Sequence, residues 1–178
     1  MISFQGKQAL WFAGILLAAL LSCTDSDRDV VDGGAVMTFD TAVVHLASER
    51  DTLRFRVEVA RSPEQKAMGL MERRALADTA GMLFVYSTDQ PATAGFWMFR
   101  TRIPLDIAFT DSLGRIVAVR EMRPCDAQLA AGCPTYEPGA NYRLALEVNA
   151  GLLARRGIRV GSRLWTSAVP MTVPSIVR

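Results

Sequence analysis

Between Leu53 and Val59 every second residue is apolar: Leu53, Phe55, Val57 and Val59 alternate with Arg54, Arg56 and Glu58. A period of two marks a strand with one buried face, and a helix cannot satisfy it. The pattern returns at Leu105, Ile107 and Phe109, which alternate with Asp106, Ala108 and Thr110. Asp111-Ser112-Leu113-Gly114 then has aspartate first and glycine last, as a tight turn requires, and residues 115–119 are predicted to return as the hairpin partner. Residues 81–86, 96–99, 142–149 and 160–166 are the remaining short runs read as strands. One break is helical. Ser62 can cap, Pro63 suits the first helical position and Gln65 completes a capping box, so a short helix is predicted to about Arg73. Many short strands with one short helix predict a mostly β fold, either a compact antiparallel β-sandwich or a partly closed barrel. The 178 residues are 50% hydrophobic, enough for one proper core.

The amino terminus obeys a different rule. Lys7 precedes an uncharged apolar run over residues 9–21. As a helix that run would span roughly 20 Å, against roughly 30 Å for a hydrocarbon core, which suits a signal segment better than a membrane span. It ends in Leu20-Leu21-Ser22-Cys23, similar to a bacterial lipobox whose cysteine receives a diacylglyceryl group. The alternative is a plain signal peptide with an incidental cysteine. Thr24, rather than aspartate, follows, which resembles an outer-membrane address. The expected layout is a signal segment over 1–22, a lipidated Cys23 with a flexible tether to 37, one β-rich domain over 38–168 and a loose tail over 169–178. The expected address is the bacterial cell envelope, with the protein lipid-anchored on the membrane and facing the periplasm.

Three cysteines leave one unpaired in an exported chain. If Cys23 carries lipid, Cys125 and Cys133 remain for each other in an oxidising compartment. A two-cysteine metal site or redox pair is the rival, weakened because residues 126–132 hold no histidine and the spacing is not C-x-x-C. The net charge is +2, and Lys7 and Lys66 are the only lysines. The densest basic pairs, Arg73-Arg74 and Arg155-Arg156, are too small for a phosphate-backbone stripe, so no nucleic-acid partner is expected.

Several motifs occur in order: Gly69-Leu70-Met71 with Arg73, Gly81-Met82-Leu83-Phe84, Phe96-Trp97-Met98, Thr101 with Ile103-Pro104-Leu105-Asp106-Ile107, and Ala145-Leu146-Glu147 with Ala150-Gly151. Together they resemble the domain-of-unknown-function 192 family over roughly residues 54–165. The resemblance implies a compact, mostly antiparallel β fold with exported members, and no activity. Cys125 and Cys133-Pro134 with Tyr136 look like the exported branch. Members often carry a basic residue and an asparagine where Phe99-Arg100 stand here, so a role for that amide does not transfer.

Asp106 and Glu147 are the leading chemical candidates. Asp106 shares a strand face with Ala108 and Thr110, and Glu147 with Ala145 and Asn149. Neighbouring strands would then floor a polar groove with two carboxylates, suited to acid/base work on a glycosidic bond or to a hard cation. The bland alternative has both facing water or paired with Arg73 or Arg100. Trp97 is either a core anchor, as its apolar flanks suggest, or a stacking platform for a sugar ring. The candidate ligand-binding residues are therefore Asp106, Glu147, Asn149, Arg73, Arg100 and Trp97. His45, the one histidine, reads as a surface strand residue, which leaves histidine-based nucleophile systems little to work with. Met68, Met71, Met82, Met98 and Met122 read as core filling rather than Cu(I) ligands. No catalytic residue, metal or cofactor is assigned. The expected function is an envelope domain binding a small ligand, glycan or protein partner. The alternatives are a hydrolase using Asp106 and Glu147, and a structural accessory lipoprotein.

Overall fold

In a computed structural model that describes residues 37–49 and 51–169, the alternating segments join one seven-stranded sheet. Its strands are β1 (Asp40–Ala47), β2 (Thr52–Ala60), β3 (Ala80–Gln90), β4 (Leu105–Thr110), β5 (Ile116–Met122), β6 (Tyr142–Asn149) and β7 (Arg163–Thr166), in spatial order β5-β4-β6-β3-β2-β1-β7. The apolar run over 9–21, Cys23, the tether up to 36 and the tail from 170 lie outside the described residues.

The sheet curls until its two edges meet. Arg115 bridges Arg163, Ile116 N donates to Ser162 O at 2.8 Å, and Leu164 N donates to Gly114 O at 2.7 Å. The result is the partly closed barrel rather than the sandwich. Its interior is filled by the inward alternates, among them Val44, Leu46, Phe55, Val57, Leu146 and Val148, with Leu152 and Leu153 of α2 (Leu152–Arg155) packed against them. The β4–β5 hairpin turns where expected: Gly114 N donates to Asp111 O at 3.1 Å, and Gly114 has a φ of 75°.

Four expectations are corrected. Most strand pairs are antiparallel, but β2 and β3 run parallel, with Val57 opposite Gly81. A parallel pair needs a crossover, and residues 61–79 supply it through α1 (Pro63–Met68). The capping box forms as read, with Ser62 Oγ accepting from Gln65 N at 3.1 Å. The helix stops at Met68, short of Arg73, because Gly69 leaves helical geometry with a φ of 50°. Residues 96–99 are not a strand. Phe96 and Phe99 make isolated bridges to Tyr136 and Cys125, and a turn from Met98 to Thr101, with Arg100 at a φ of 56°, breaks the run. Residues 160–162 turn instead of extending, so the last strand begins only at Arg163.

A second apolar layer covers part of the barrel's outer face. Met82, Phe84, Ile107, Phe109, Met98 and Met122 are buried there, beneath residues 91–104 and 123–141. All of β4 is buried in consequence. A disulfide joins Cys125 to Cys133 within that cover.

Candidate functional site

β4 and β6 are neighbours, as the groove required, yet the two carboxyls do not meet. Ile107 lies opposite Glu147, and Asp106 lies opposite Val148. Paired residues share a face, so a one-residue offset sends Asp106 and Glu147 to opposite sides of the sheet. Asp106 points inward with Val148 and Leu146. Its Oδ2 accepts the backbone N–H of Leu153 at 3.0 Å, at the start of α2. That bond satisfies one of the donors a helix start leaves unpaired. Asp106 is thus part of the barrel's packing, and the acid-lined groove shared by two carboxylates is overturned. Carboxylate-pair hydrolysis loses its geometry with it.

Glu147 points outward. Across the sheet it stands in a row with Glu58, Met82 and Ile107, flanked directly by the two apolar side chains. It is 4% exposed, and its carboxyl makes no hydrogen bond with any described residue. Burial alone pushes its pKa from 4.5 up to about 8. A carboxyl so placed holds its proton at pH 7 and becomes a donor as well as an acceptor. Gly81, second in β3, lets β3 and β6 lie close at this point, since a Cβ there would lie 2.4 Å from the backbone carbonyl oxygen of Glu147.

Above Glu147 lies a cavity of about 240 Å³, walled by Leu70, Phe84, Tyr86 and Phe96 and reached past Met68 and Trp97. Phe96 meets Phe84 edge-on, with ring centroids 4.9 Å apart, which fixes one wall. Trp97 is 48% exposed and lines the opening. Its apolar flanks favoured the core, and the structure corrects this: Met98 takes the core position while the turn after it swings the indole outward. Gly95 lets this segment lie close to its neighbour, because a Cβ there would sit 2.9 Å from Tyr136 backbone.

The other candidates brace the frame. Arg73 grips Glu58 through its two terminal guanidinium nitrogens, at 2.8 and 2.5 Å, rather than either candidate carboxyl. Arg100 Nε donates to Glu72 Oε1 at 2.7 Å, and Arg102 pairs with the same carboxylate. Glu72 and Arg100 both have positive φ, 61° and 56°, and Glu72 N donates to Arg100 O at 2.8 Å. Left-handed backbone favours asparagine over arginine. Asn149 Nδ2 donates to Leu76 O at 2.8 Å and Asp78 Oδ1 at 3.1 Å, holding the crossover. None of these three side chains lines the cavity.

Sequence reasoning missed Lys66, Tyr86 and Thr101, which do line it. The rarity of lysine was the one signal for Lys66. His45 stacks on Trp165 with ring centroids 5.3 Å apart, away from the cavity. Met82, Met98 and Met122 are fully buried. Among the described residues no three His, Cys, Asp or Glu side chains converge as a metal set.

A family model described as "Uncharacterized ACR", domain of unknown function 192, matches residues 44–166. A crystal structure from Sinorhizobium meliloti, provisionally named a transcription regulator, is similar at 30% identity and a TM-score of 0.67, over 75% of this chain and 99% of that one. A protein of unknown function from Novosphingobium aromaticivorans is similar at 32% identity and a TM-score of 0.65, over 74% of this chain and 89% of that one. No curated protein matches.

Proposed function

The chain belongs to the domain-of-unknown-function 192 family, described as uncharacterized, and for this member we propose a non-enzymatic small-ligand-binding role centred on the Glu147 cavity. One observation carries the reading: a buried carboxyl with no hydrogen-bond partner among the described residues forms the floor of an apolar-walled cavity whose mouth carries an exposed tryptophan. The carboxyl lines the cavity instead of being paired within the packing, so a ligand oxygen can pair with it there. Aromatic walls with one convergent polar group are the usual makeup of a small-molecule site. The ligand would offer a ring face to Trp97 and a hydroxyl, ether or carbonyl oxygen to protonated Glu147. A sugar ring meets both demands.

The test is a tryptophan-fluorescence and ligand-observed NMR screen of simple glycosides. Binding should weaken at least about tenfold in both Trp97→Ala and Glu147→Ala, the loss expected from one good contact. Ligands that bind equally well to both variants would sink the reading.

We further propose that lipid on Cys23 holds the domain on the membrane, facing the periplasm. The support is the Ser22-Cys23 context after the apolar run, together with a Cys125–Cys133 bond of the kind oxidising compartments preserve. Labelled palmitate should enter the full chain and not Cys23→Ser; equal labelling of both overturns the anchor.

A further inference from the structure

A second cavity, of about 510 Å³, adjoins the first, and Lys66 and Tyr86 line both. Its character is different. Arg61, Lys66 and Arg143 face it together with Ser87 and Ser112, and no carboxylate lines it. The sequence separates these residues widely. Arg61 immediately precedes the cap of α1, Lys66 lies on α1, Ser87 on β3, Ser112 in the β4–β5 turn and Arg143 on β6.

The cations are only partly neutralised. Arg143 Nε donates to Asp89 Oδ1 at 2.8 Å, and one Arg61 nitrogen donates to Ala168 O at 2.5 Å, leaving further N–H groups on each guanidinium. Lys66 has no carboxylate partner among the described residues; its Nζ lies 4.5 Å from the centroid of the Tyr86 ring, on the boundary between the cavities. Burial, and then the neighbouring Arg61 charge, lower the Lys66 pKa. With only Arg143 paired to a carboxylate among the described residues, the cluster keeps a net positive charge that attracts an anion, and three cations with two hydroxyls suit one with several acceptor oxygens.

We propose that the second cavity is an anion subsite and that the ligand of this domain is a phosphorylated sugar, its phosphate held by Lys66, Arg61 and Arg143 and its ring in the Glu147 cavity. The ring half of this inference rests on the function proposed above, while the phosphate half stands on the second cavity alone. Lys66 and Tyr86 form the joint. The Lys66 ammonium reaches the phosphate while the Tyr86 ring walls both compartments.

The experiment compares three probes on the full chain: inorganic phosphate, methyl glucoside and glucose 6-phosphate. Phosphate should show 31P line broadening that Lys66→Gln abolishes, Lys66→Arg retains, and salt weakens. Trp97→Ala should leave that broadening unchanged. Glucose 6-phosphate should bind at least about tenfold tighter than either fragment, since each joined contact adds to the other. If phosphate neither broadens nor competes, and glucose 6-phosphate binds no better than methyl glucoside, the anion subsite is overturned while the ring site survives. If glucose 6-phosphate binds no better than phosphate and is indifferent to Trp97→Ala, the sugar assignment falls and the phosphate site alone stands. Arg143→Gln, tested beside Lys66→Gln, guards against misfolding of either variant: loss of broadening in both, with unchanged melting, supports the site.

Discussion

Two carboxyls on adjacent strands, Asp106 on β4 and Glu147 on β6, are each only 4% exposed, yet they have opposite situations. Asp106 faces the barrel interior and accepts the Leu153 N–H at 3.0 Å, so its polarity is used by the fold. Glu147 faces the outer layer between Met82 and Ile107 and has no such partner among the described residues. Equal burial therefore says nothing about purpose. The difference lies in what each carboxyl faces: Asp106 is tied to a backbone N–H inside the barrel, whereas Glu147 lines a cavity and has no hydrogen-bond partner among the described residues.

The sharpest way to break this comparison is Glu147→Gln, which keeps shape and removes the titration. Glu147 has a folded pKa of about 8 against 4.5 when unfolded, so the folded state holds the proton longer. Its contribution is fully present below pH 4.5, falls as pH rises, and is lost once pH passes about 8. The glutamine variant should be more stable than the parent at pH 9, by on the order of 5 kcal/mol, and should flatten this pH slope in urea melts. An unchanged slope would falsify the neutral-carboxyl assignment.

Reducing the Cys125–Cys133 bond, or Cys125→Ser with Cys133→Ser, should cost about 2.5 kcal/mol in the chain-entropy model. The loss should fall on the Glu147 side, since Phe99 bridges Cys125 within the cover of that cavity. Hydrogen exchange should speed up over residues 96–101 while Leu153 N–H stays protected. Asp106→Ala should cost about 2 kcal/mol by stranding that buried N–H, with glycoside or phosphate binding untouched. A binding defect in this variant would return Asp106 to the site. Trp97→Ala belongs at the bottom of the stability scale, within about 0.5 kcal/mol, because the indole is largely outside the core. A melting loss of several kilocalories would make it the core anchor after all.

Much of the barrel was legible because its signals are local. The alternation in Leu53–Val59 and Leu105–Thr110, the Asp111–Gly114 turn and the Ser62–Gln65 cap each depend on residues within a few positions of one another. The parallel β2–β3 pair was not legible, since periodicity carries no information on a neighbour's direction. Trp97 was misread for a related reason: an apolar run between Phe96 and Met98 looks like a buried strand until a turn rotates one member outward.

From sequence alone come the alternating strands over residues 53–59 and 105–110, the Asp111–Gly114 turn, the helix cap, the cysteine pair, and which residues of each such strand share a face; β1 and the break in residues 96–99 did not. Tertiary structure alone decided which faces are brought together. Side chains alternate with a period of two, so a single step of register between β4 and β6 sends Asp106 into the barrel and Glu147 out to the cavity. That step is fixed by packing among residues far apart in the chain, and the same packing gathers Arg61, Lys66 and Arg143 from three separate segments.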